Sequence, residues 1–134
     1  MDEIVAQEVI EKKIFCLRGY KIMLSTSLAA LYGIRTKALI QSVKRNIKRF
    51  PEDFMFQLTK EEVGTLRSQF VTSKKGRGGT RYLPYAFTEQ GVAMLSSVIN
   101  SERAVQVNIV ISRLLLHRLS QISWHRHDIA DDRR

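Results

Sequence analysis

The residues best placed to do chemistry are a set of cations around one glutamine. Lys37, Gln41, Lys44 and Lys48 recur at spacings of four and three. At ~100° per residue this puts them in a narrow arc of a helix roughly opposite Val43 and Ile47, with Arg45 at its edge, while Leu39, Ile40, Val43 and Ile47 mark one buried face. Such a helix suits the major groove of a nucleic-acid duplex. Glutamine can bond an adenine edge bidentately, while lysine and arginine reach guanine acceptors or flanking phosphates. Arg35 and Arg49 extend the cationic face at either end. The bland reading of the pattern is an amphipathic surface helix with a solvated lysine-rich side. The surrounding charge argues against it: from Lys12 to Pro51 there are ten basic residues and no Asp or Glu, and the rest of the chain balances to −1. The formal net charge of +9 therefore arises in one segment, and a polyanion is the partner it implies.

A second candidate is the run TSKKGRGGT, Thr72 to Thr80. Gly76, Gly78 and Gly79 would let the backbone follow phosphates while Lys74, Lys75, Arg77 and Arg81 supply charge, as an arm does beside a groove-binding helix. The alternative is a plain solvated loop. The GKS or GKT ending of a P-loop is missing.

Catalytic constellations are weak. His117, His125 and His127 stand late in the chain with no nucleophile motif beside them, and among Glu61, Glu62 and Glu89 only Glu62 has an evident task, in a capping box. No spacing of cysteine and histidine suggests a zinc site, and the single Cys16 forbids an internal disulfide. No enzyme activity, metal or cofactor is expected.

These residues need elements to hold them. Lys13 to Leu24 hold two short apolar, β-prone runs around Arg18-Gly19 and read as a β-hairpin or a strand with a tight turn at the glycine. Ser25, Thr26 and Ser27 offer cap oxygens to a short helix, LAALY, which Gly33 ends in the left-handed conformation. The helix carrying the cationic arc should run from about Thr36 to Arg49, stopped by Phe50-Pro51. With the small Ala29 four residues before Gly33, the two helices have the form of a helix-turn-helix, with Ile34 and Leu39 as core contacts.

FMFQL, Phe54 to Leu58, suits a strand. Thr59 with Glu62 makes a capping box that opens a helix to about Phe70. RYLPYAF, Arg81 to Phe87, suits a strand that Pro84 should confine to an edge or a bulge, and Thr88 should cap a helix to about Val98. After Asn100-Ser101 a last helix, from about Glu102 to Trp124, is apolar nearly all round. Either it is central to the fold, or its far side, Val105 to Leu119, packs against a second copy of the chain. The fold class expected is α+β, short strands with several helices. Residues 1–12 form an N-terminal extension, 13–124 one domain and 125–134 a polar tail.

The length of 134 residues, 44% hydrophobic and 26% charged, fits one globular domain. No apolar run approaches the ~18 residues of a membrane span, and the N-terminus is acidic where a signal peptide would be basic, so a soluble cytoplasmic protein is expected.

The strings LRGYKIMLS, LAALYGIRTKALIQSVKRNIKRFPEDFMFQLT and RGGTRYLPYAFTEQGVAMLSSVINSERAVQVNI resemble the phage-derived "ORF six N-terminal" domain, a relative of the KilA-N and Bro-N domains. The resemblance covers roughly Lys13 to Leu119; RFPEDFMFQLT and YAFTEQGVAMLSSV are its most specific stretches. It implies a helix-turn-helix-like element at Leu28 to Asn46 and a shared helical unit at Thr88 to Ile109. It also implies binding of double-stranded DNA by a prophage-type transcriptional regulator or antirepressor. Ser27 and Arg35 stand where the family often has an acid, which makes this surface more basic. The rival expectation is a protein-interaction module that inactivates a repressor through the last helix.

Overall fold

A computed structural model of the chain describes residues 7–69 and 83–115. The glycine-rich stretch with Lys74, Lys75, Arg77 and Arg81, the three histidines and the expected tail all lie outside the described residues. The fold is α+β. Its elements are α1 (Gln7–Glu11), β1 (Ile14–Leu17), β2 (Tyr20–Leu24), α2 (Ser25–Tyr32), α3 (Thr36–Arg45), a 3-10 turn (Ile47–Arg49), β3 (Met55–Gln57), α4 (Lys60–Gln69), β4 (Tyr85–Thr88) and α5 (Glu89–Val98). A further helix, α6, covers residues 102–115.

The four strands form one antiparallel sheet in the order β1-β2-β4-β3. The hairpin turns where expected, with Arg18 at φ 55° and Gly19 at φ 83°. Two consecutive positive φ angles give the turn a twist that matches that of the flanking strands.

Alternation along the strands sends side chains to two cores. Ile14, Met23, Met55 and Phe87 face the larger one, with Leu28 of α2, Leu39 and Val43 of α3, Val92 and Leu95 of α5, and Val107 and Ile111 of α6. Ile10 of α1 is fully buried there as well. Phe15, Ile22, Phe56 and Ala86 face the smaller core, which Leu66 of α4 covers. The sheet thus lies between α4 and the remaining helices.

Three expectations need correction. β4 is a central strand, paired with both β2 and β3, and Pro84 sits just before it rather than at an edge or in a bulge. Placed there, proline removes no ladder donor, and its carbonyl accepts from Leu58 N at 2.9 Å. The second correction concerns α2, which starts at Ser25 after an extended Leu24 and has no side-chain cap. The third is that α3 ends at Arg45 instead of running to Arg49. The tighter 3-10 turn that follows rotates the chain out of the helical register, so Ile47 is 50% exposed while Phe50 is buried. Phe50 then meets Phe87 edge-on at 6.0 Å.

Within the described residues the last helix buries one face and exposes the other. Ala104, Val107, Ile111, Leu114 and Leu115 are buried in the main core. Val105 and Ile109, one turn apart, remain 42% and 47% exposed.

Candidate nucleic-acid interface

The helix pair is held by bonds that local sequence supplies and by others that it does not. Gly33, at φ 78°, closes α2 with the paired bonds Gly33 N to Ala30 O, 3.2 Å, and Ile34 N to Ala29 O, 3.0 Å. This satisfies two of the helix's end carbonyls and turns the chain into α3 within three residues. Ala29 is buried at the crossing, and Ile34 packs against the core around Leu39. From the far end of the domain, Arg103 of α6 donates its Nε to Leu31 O at 2.8 Å. A cation at a helix C-terminus meets the negative end of its dipole.

Beneath the pair lies a buried polar network. Tyr32 Oη donates to Asn108 Oδ1 at 2.6 Å, and Asn108 Nδ2 donates to Ser96 Oγ at 2.8 Å and to Val92 O at 3.2 Å. Burial raises the Tyr32 hydroxyl pKa well above its ordinary value, so it stays a protonated donor. The network joins α2, α5 and α6, fixing the platform on which α3 rests.

Further support comes from Thr88. Its hydroxyl donates to Asp53 O at 2.7 Å and accepts from Gly91 N at 3.3 Å, capping α5 as expected. The loop before β3 comes so close that a Cβ on Gly91 would stand 1.9 Å from Phe54 O. Only glycine allows that approach.

On this platform α3 buries Leu39 and Val43, half-buries Ile40, and exposes Lys37, Gln41, Lys44 and Arg45. Arg35 is exposed at the N-cap, where α3 begins with neither a side-chain cap nor an acid in its first turn. None of these cations has an ion-pair partner among the described residues. Lys48 and Arg49 are exposed too, but they belong to the 3-10 turn and not to the arc of α3. Arg49 is tied to α5 by a 3.4 Å contact with Ser97 Oγ. The structure therefore brings Lys37, Gln41, Lys44 and Arg45 together on one helix and puts Lys48 and Arg49 on a separate step.

Sequence reasoning missed Arg103, Asn108 and Gly91 as positioning residues. The first two act on partners 72 and 76 residues away, which no local pattern announces. Gly91 had a signal, since glycine in the first turn of a helix loses propensity and calls for a packing reason.

Among the described residues no group of three or more His, Cys, Asp or Glu could hold a metal ion, and no helix is long and apolar enough to cross a membrane. No curated protein and no solved structure matches the chain. A family model described as the ORF6N domain matches residues 12–98, stopping before α6 and short of the Leu119 that the resemblance suggested. That span takes in the hairpin, the helix pair, the capping box of α4 and the Thr88 cap of α5, more than half of the chain, and the protein belongs to the phage-associated ORF6N domain family.

Proposed function

We propose that this chain is a double-stranded DNA-binding domain of a phage-type transcriptional regulator or antirepressor, sequence-specific or semi-specific, and not an enzyme. The observation that carries the reading is the outer face of α3, where Lys37, Gln41 and Lys44 stand exposed in one arc with no carboxylate partner among the described residues. A helix so equipped enters the major groove with one amide for a base edge and cations for guanine or phosphate. Arg35, Arg45, Lys48 and Arg49 add phosphate contacts, and so do Lys74, Lys75, Arg77 and Arg81 from the basic run. No cofactor is needed.

The test is a mobility shift on duplex DNA over a range of salt. About five phosphate contacts give log affinity a slope of roughly −4 to −5 in log salt. Salt-insensitive binding, or none at low salt, overturns the reading.

A second reading rests on α6. Val105 and Ile109 leave an apolar stripe facing outward, which favours a second copy docking through Val105 to Leu119 or a repressor docking in its place. Light scattering at micromolar concentration tests for the dimer. A repressor-dependent effect without affinity for bare DNA would favour the repressor-binding module over the DNA-binding domain.

A further inference from the structure

The hairpin contains a pair of residues whose burial is the reverse of the usual. Lys21 of β2 is 7% exposed, the only buried charged side chain among the described residues, while Cys16, directly across from it on β1, is exposed. Lysine is ordinarily among the most exposed residue types and free cysteine among the most buried. The Lys21 Nζ donates to Cys16 Sγ at 2.9 Å, and no carboxylate among the described residues pairs with it. An ammonium group withdrawn from water needs a compensating partner, and here the partner is a sulfur. Reactive cysteines occur in such a setting, beside a cation and open to solvent on one side.

We propose that Cys16 and Lys21 form a peroxide-reactive modification site, in which oxidised Cys16 closes onto Lys21 through a sulfur–nitrogen bond. The sulfur attacks one oxygen of hydrogen peroxide; the S–O bond forms and the O–O bond breaks. The Lys21 ammonium protonates the departing hydroxide to water, and the thiol proton returns to the amine. Thiol and peroxide have become sulfenic acid and water. Lys21 next gives one proton to solvent, and the lone pair of the free amine attacks the sulfenic sulfur. The S–N bond forms, the S–O bond breaks, and the leaving oxygen takes a proton from the nitrogen to depart as a second water. Peroxide is reduced by two electrons drawn from the Cys16–Lys21 pair, and β1 becomes covalently tied to β2. Excess thiol reverses the link by attacking the sulfur and returning the amine.

The experiment treats the intact chain with hydrogen peroxide and follows it by mass spectrometry, with and without a dimedone-type trap for sulfenic acid. The expected products are a trapped adduct on Cys16 and, without the trap, a chain lighter by two hydrogen atoms. Digestion of that chain gives a peptide linking Cys16 to Lys21, which dithiothreitol releases. Lys21→Met should slow trapping about tenfold. Lys21→Arg should keep much of the first step but give no link. Because the loss of two hydrogens is read on the unaltered chain, the test stands even if a variant fails to fold. Three results overturn the proposal: trapping as fast in Lys21→Met as in the unaltered chain, oxidation that proceeds to sulfinic acid with no linked peptide, and a Cys16–Cys16 disulfide between two chains in place of the link.

Discussion

The cations of the hairpin and those of α3 come from one acid-free stretch of sequence, and the fold uses them in opposite ways. Arg18 lies over the Phe56 ring at 3.9 Å and makes a two-pronged bond to Glu62, 2.7 and 3.0 Å. Glu62 comes 44 residues later, so a stretch without acids in sequence is not without acids in space. Lys21 is buried against a sulfur. On α3, by contrast, Lys37, Lys44 and Arg45 are exposed and unpaired among the described residues. A formal charge read from sequence therefore overstates what a polyanion can meet. The part available is the part the fold leaves outside.

This contrast breaks if DNA affinity merely follows the integrity of the fold, and Gly91 supplies the benchmark for that. Gly91→Ala forces a carbon into Phe54 O and should cost about 3 kcal/mol or more of stability. Denaturant midpoints measure the loss, and whatever fraction stays folded should bind DNA with unchanged affinity. Replacing Lys37, Lys44 and Arg45 together by Ala should do the reverse. DNA affinity near 0.1 M salt should fall on the order of a hundredfold and the salt slope by about 3, while stability shifts by less than ~0.5 kcal/mol per site. A joint fall in stability and affinity would show that these cations support the helix rather than a ligand.

Gln41→Ala sharpens the contrast within α3 itself. It should cost ~1 to 3 kcal/mol at one base pair of a preferred site, read by selection from random duplexes. Equal losses on every sequence would mean that Gln41 reads no base.

The smallest effect is expected at Arg18→Ala, at most about 1 kcal/mol of stability and none on DNA affinity. Its signature lies in acid. The Glu62 carboxyl is lowered from the ordinary 4.5 to about 2, chiefly by the hydrogen bond from Arg18, with further bonds from Thr59. A carboxyl lowered in the folded state contributes stability that is fully present above its ordinary value and lost as pH falls toward 2. Chemical denaturation between pH ~5 and ~2 should therefore show a steeper loss in the unaltered chain than in Arg18→Ala. Parallel curves would mean that the pair contributes nothing.

What the sequence determined by itself is what short-range chemistry controls. The turn at Arg18-Gly19, the helix stop at Gly33, the reciprocal bonds of Thr59 and Glu62 and the cap at Thr88 each involve residues at most five apart. The amphipathic face of α3 was legible because helical periodicity displays it within three turns, and the resemblance to the family rests on the same stretches.

Only the tertiary structure decided that β4 lies inside the sheet, that Phe50 is buried and Ile47 exposed, and that α6 packs one face into the core with Val105 and Ile109 left outside. It likewise decided that Arg18 is neutralised, that Lys21 is buried and that Arg103 reaches Leu31. Each of these outcomes depends on which distant surface covers a residue. Periodicity states that a face must be covered or that a charge must be solvated or paired, but the partner is chosen only when segments far apart in the chain compete for the same limited volume of core.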